Sequence, residues 1–136
     1  MFKIMVRLGM AAGAALLAMA FALPASPAMA SGKACDYNTP VVTCDEVNGS
    51  GLVIEYMLGS FGNGAQPTVP AIHIELSGPQ GLIKNCPQTN VLGFTTIYCR
   101  WSPAADVPGG YYCTTAWQNV NGSYYDVGRA CVDVHR

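Results

Sequence analysis

Apolar and polar residues alternate in short runs along this chain, and after Ala30 no stretch of useful length repeats with the 3.6-residue period of an amphipathic helix. Val41-Val42-Thr43-Cys44 reads as a short strand after the turn signal Asn38-Thr39-Pro40, although this region can equally form a stapled N-terminal loop. Asn48-Gly49-Ser50-Gly51 reads as the next turn. Leu52 to Leu58 then alternates, with Leu52, Ile54, Tyr56 and Leu58 on one face and Val53, Glu55 and Met57 on the other. The segment 59–70 (GSFGNGAQPTVP) reads as a loop because of its glycines and prolines. Ala71 to Leu76 alternates again, Ile72, Ile74 and Leu76 facing inward and His73 and Glu75 outward. These two runs are expected to form a hairpin with a protruding loop. Leu82-Ile83-Lys84 and Phe94 to Trp101 are further strands, separated by turn-rich sequence.

The strongest pattern is the last one. Gly109 to Val134 holds two aromatic, β-branched runs joined at Asn121-Gly122, a pair that tolerates the positive φ of a type I′ hairpin turn. Strands of this length with regular turn signals predict an all-β fold, a small antiparallel β-sandwich or partly open barrel.

The first 30 residues have another role. Lys3 and Arg7 precede an apolar run from Leu8 to Leu23, and Ala28-Met29-Ala30 has the small-x-small form of a cleavage site. Residues 1–30 are therefore expected to be a cleaved signal peptide, similar to those of exported bacterial proteins, and 31–136 a single disulfide-rich β domain. The product would be secreted, either free, at the cell surface or in the periplasm. Both leader cations leave with it, so five basic residues face eight acidic ones in the mature chain. That balance argues against nucleic acid, which demands clustered Lys and Arg. No second long apolar segment follows, and no transmembrane segment is expected in the mature chain.

All six cysteines, Cys35, Cys44, Cys86, Cys99, Cys113 and Cys131, lie after the leader. An even count in an exported chain predicts three disulfides. Spacing invites the local set Cys35–Cys44, Cys86–Cys99 and Cys113–Cys131, one of fifteen possible connectivities. Register makes the last bridge conditional. A two-residue turn at Asn121-Gly122 pairs Cys113 with Ala130, and a bulge at Gly128-Arg129 is needed to bring Cys131 opposite.

Gly109-Gly110-Tyr111-Tyr112-Cys113 resembles the Gly-x-Tyr-x-Cys strand of immunoglobulin-like domains. The resemblance covers five residues. It implies a corner hydrogen bond from the tyrosine two before the cysteine, and a rival Cys44–Cys113 bridge between sheets.

Candidate chemistry is sparse. His73 and Glu75 leave one strand face together, possible neighbours of Glu55, a residue set that suits zinc or acid–base work; the preferred reading is a solvated outer face. No nucleophile elbow occurs, no pair of glycosidase carboxylates stands out, and no Cys-x-x-Cys is present. No catalytic residue, metal site or cofactor is assigned. Aromatics say more. Five of the eleven outside the leader fall in the terminal hairpin, and adjacent tyrosines in a strand must point to opposite faces. Tyr112, Trp117, Tyr124 and Tyr125, with Phe61 on the 59–70 loop, are the expected binding residues. The expected function is non-catalytic recognition of an extracellular glycan or protein, the alternative an inhibitor of an extracellular hydrolase acting through the 59–70 loop.

Overall fold

The computed structural model describes residues 30–136, so the leader lies outside the described residues but for Ala30. Ten strands follow one another: β1 (Gly32–Asn38), β2 (Val41–Ser50), β3 (Val53–Asn63), β4 (Val69–Gly78), β5 (Gly81–Asn85), β6 (Thr89–Val91), β7 (Thr95–Trp101), β8 (Ala105–Asp106), β9 (Gly110–Val120) and β10 (Ser123–Val134). No helix occurs among the described residues. The strands form two antiparallel sheets, not closed into a barrel. One runs β1-β2-β3-β7, with β8 extending the β7 edge along β3; the other runs β10-β9-β4-β5, with β6 sharing the β5 edge of β4.

Inward faces of both sheets supply the core: Ile54, Met57 and Phe61 from β3, Ile72, Ile74 and Leu76 from β4, Tyr112 and Ala116 from β9. Full burial of each large side chain contributes roughly 1.5–3 kcal/mol. The β4 alternation falls as its pattern predicts. The β3 alternation does not. Tyr56 opposes Asn48 while Ile54 opposes Gly49, so Glu55 is an unpaired bulge residue. The bulge swaps faces partway along the strand, which is why Ile54 and Met57 are both buried.

Three further expectations are corrected. Residues 32–38 form a regular strand along β2 rather than a loop, and β2 runs on through the expected turn to Ser50. The strand β3 runs to Asn63, through sequence that reads as loop. A Cβ at Gly59 would lie 2.7 Å from Leu76 and Thr114 of the opposite sheet, so this glycine serves close sheet packing rather than a turn. Finally, β3 and β4 are not a hairpin: each pairs within its own sheet, and residues 64–68 cross between the layers.

The terminal hairpin has the predicted Asn121-Gly122 turn, both residues at positive φ. Its bulge falls at Val127, one position before the expected site, and brings Cys131 directly opposite Cys113. All three bridges are the local ones. Two of them, Cys35–Cys44 and Cys113–Cys131, join directly opposed residues of neighbouring strands. The third, Cys86–Cys99, ties the end of β5 to β7 and so clamps one sheet to the other. The Cys44–Cys113 bridge implied by the immunoglobulin-like resemblance is not formed, since each cysteine is held by its strand neighbour. Tyr111 is exposed, and its neighbour Tyr112 is the residue that donates its hydroxyl to an upstream carbonyl, that of Pro108, at 2.8 Å.

Candidate functional site

The outer face of the β10-β9-β4-β5 sheet carries a cleft of about 610 Å³. Its floor follows from strand register. His73 on β4 lies directly opposite Trp117 on β9, and Glu75 opposite Thr115, so these side chains share one face. The Trp117 indole N–H donates to Glu75 Oε2 at 2.8 Å. His73 Nε2 lies 3.6 Å from Glu75 Oε1. From β10, Tyr124 covers the imidazole edge-on, with ring centroids 5.1 Å apart and planes at 82°. His73 is 8% exposed, so the solvated outer face expected for it is corrected: Tyr124 and Trp117 wall it off from water.

The opposite wall is Asn85-Cys86-Pro87-Gln88, the link from β5 to β6. Two covalent and hydrogen-bonded ties hold it. The Cys86 N–H donates to the Ile74 carbonyl at 2.9 Å, and the Cys86–Cys99 bridge anchors it to the far sheet. The cleft thus presents two aromatic rings, one carboxylate and two side-chain amides on a braced frame. Both Glu75 oxygens face protein partners. Glu55, the third member of the expected set, does not join His73 and Glu75, because it belongs to the other sheet and is exposed there. No group of three metal-ligating side chains occurs among the described residues.

Of the expected binding residues, Trp117 and Tyr124 come together in this cleft. Tyr125, one step along β10, leaves the other face and stands exposed near the hairpin tip. Tyr112 and Phe61 are corrected. Tyr112 is the inward partner of the Tyr111-Tyr112 pair, 2% exposed and stacked on Trp101 at 6.4 Å between centroids. Phe61 lies in β3 between Ile97 and Thr43, fully buried, and offers no exposed anchor to a hydrolase. The flanking wall was unforeseen. Asn85 and Gln88 carry no signal of their own, and only Cys86 between them hinted that this link is fixed.

The core holds one group of a different kind. Asp45, on the inward face of β2, is fully buried and accepts a hydrogen bond from the Thr114 hydroxyl at 2.8 Å, while Oδ2 has no partner among the described residues. Burial raises its pKa to about 7 against the opposing pull of Thr114 and the Val132 backbone.

No protein-family model, curated protein or solved structure matches the chain. No described helix is long and apolar enough to cross a membrane.

Proposed function

We propose that the protein is a secreted, non-catalytic glycan-binding module whose site is the cleft around Trp117 and Tyr124. One observation carries this reading: Trp117 and Tyr124 line the same cleft as Glu75, Asn85 and Gln88. A sugar ring offers an apolar C–H face and a rim of hydroxyls. Aromatic rings match the first, and amides with a carboxylate match the second. The volume falls in the range of small-ligand sites, roughly 300–1,000 Å³. A concave pocket of this size suits one or two sugar units better than the flat patch of a protein partner. With Glu75 as the cleft's sole carboxylate and both its oxygens facing Trp117 and His73, the site supports recognition rather than acid–base hydrolysis. Three disulfides in a small domain fit an oxidising, extracellular setting.

The test is a glycan array followed by calorimetry on any retained sugar. Trp117→Ala and Tyr124→Ala should each weaken binding by about tenfold or more, with the fold intact by circular dichroism. An array with no retained glycan, or binding indifferent to both substitutions, overturns the proposal.

A further inference from the structure

A second concavity, of about 480 Å³, opens at another place, where the two sheets part. One wall is the β4–β5 turn with Pro79, Leu82 and Ile83; the other is the segment from β7 to β9 with Pro103, Val107 and Pro108. Trp101 and Tyr112 line it between these walls, their rings nearly parallel at 14°. No residue of the Trp117 cleft takes part.

Each wall is fixed. Tyr112 is tied to Pro108 by its hydroxyl, the Val107 N–H donates to the Leu52 carbonyl at 2.8 Å, and Lys84 Nζ donates to the Arg100 carbonyl at 2.7 Å, joining β5 to β7. The lining is mostly apolar, and Leu82, 63% exposed, adds to that surface. Asp106 is the one acidic residue in the lining, and it has no ion-pair partner among the described residues. Preformed, mostly apolar pockets with a charged group at one side bind ligands of matching shape and opposite charge.

We propose that this groove is a second ligand site, for a small planar apolar molecule carrying one positive charge, its body against Trp101 and Leu82 and its cation at Asp106. The chain's two tryptophans sit one in each concavity, so their indole N–H signals report the two sites separately.

The experiment is a ¹H–¹⁵N titration of the oxidised protein with three probes of one shape: 1-naphthylmethylamine, 1-naphthylmethanol and 1-naphthoate. The amine should move the Trp101 indole signal saturably and leave that of Trp117 in place. The alcohol should bind about fivefold more weakly, and the carboxylate more weakly still. Asp106→Asn, at an exposed strand position, should bring the amine down to the level of the alcohol. Leu82→Ser, also exposed, should weaken amine and alcohol alike. The proposal is overturned if no probe moves the Trp101 signal up to about 2 mM, if Trp117 responds instead, or if the three probes bind equally and ignore Asp106→Asn.

Discussion

Asp45 and Thr114 stand 69 positions apart in sequence and 2.8 Å apart in the core, where the first sheet meets the second. The contact is polar in a core built mainly of aliphatic and aromatic side chains. A carboxylate there has lost water, and the Thr114 hydroxyl and the Val132 backbone do not make up for it, so the neutral acid is favoured.

Stability should consequently fall as pH rises. Asp45 carries a folded pKa of about 7 against 3.8 when unfolded. Between those values the folded chain holds a proton that the unfolded chain has released, and each pH unit costs about 1.4 kcal/mol. The contribution is complete below pH 3.8, declines through the interval and is gone above about 7, a total of order 4 kcal/mol. Urea unfolding from pH 4 to 8 checks this. Asp45→Asn keeps an acceptor for Thr114 and should flatten that part of the profile; a slope unchanged in the variant would show that another group controls it.

The cleft makes a second prediction through the Trp117–Glu75 hydrogen bond. Glu75→Gln retains an oxygen for the indole N–H, whereas Glu75→Ala leaves the indole without its acceptor and the ring free to turn. For any glycan retained by the protein, Glu75→Gln should cost a few-fold in affinity and Glu75→Ala about tenfold or more, since a hydrogen bond to a charged acceptor contributes roughly 1.5–3 kcal/mol. Calorimetry on both variants gives the comparison. Equal losses would mean that the carboxylate acts only through its own contact with the sugar and not by positioning Trp117.

Much of the scaffold is legible in the sequence, and the reasons are local. The alternation of Ile72, Ile74 and Leu76 names the inner face of β4, and Asn121-Gly122 names the β9–β10 hairpin, because period and turn chemistry act between near neighbours. Counting register between Cys113 and Cys131 shows that a bulge near Gly128 is needed if those two pair, and the structure has it at Val127. What is not legible depends on the other sheet. Gly59 and Phe61 read as loop because nothing nearby in sequence says that Leu76 and Thr114 need a glycine opposite them. The bulge at Glu55 has no such cysteine pair to betray it. The cleft was half visible: Trp117 and Tyr124 belong to one hairpin, but their meeting with His73 and Glu75 depends on β4 pairing with β9, across more than forty residues.

The three bridges should not be equivalent. Cys35–Cys44 and Cys113–Cys131 reinforce strands that are already paired by backbone hydrogen bonds, while Cys86–Cys99 holds the cleft wall and joins the sheets. Replacing Cys86 and Cys99 together by Ala should cost about 3 kcal/mol from loop closure and also free the 85–88 wall. Amide exchange at positions 86 and 88 should then rise well before global unfolding, with the Cys35/Cys44 double variant showing no such local opening. Uniform exchange in both variants would remove the special role of the inter-sheet bridge.

Gly128 tests how tightly the layers meet beside Asp45. Thr43 is 1% exposed on β2, its hydroxyl has no partner among the described residues, and a Cβ added at Gly128 would lie 2.2 Å from that oxygen and 2.9 Å from Thr43 Cβ. Neither neighbour is a flexible side-chain end, so Gly128→Ala must separate β10 from β2 and should destabilise by about 1–3 kcal/mol. Thr43→Val goes the other way: it keeps the shape and removes a buried hydroxyl that makes no hydrogen bond, which should leave stability unchanged or raise it by up to about 1 kcal/mol. Thermal unfolding of the two single variants separates the effects. A harmless Gly128→Ala would mean that the sheets can part at this point without loss. A strongly destabilising Thr43→Val would mean that the hydroxyl is hydrogen-bonded in solution, with Asp45 Oδ2 or a buried water as its partner.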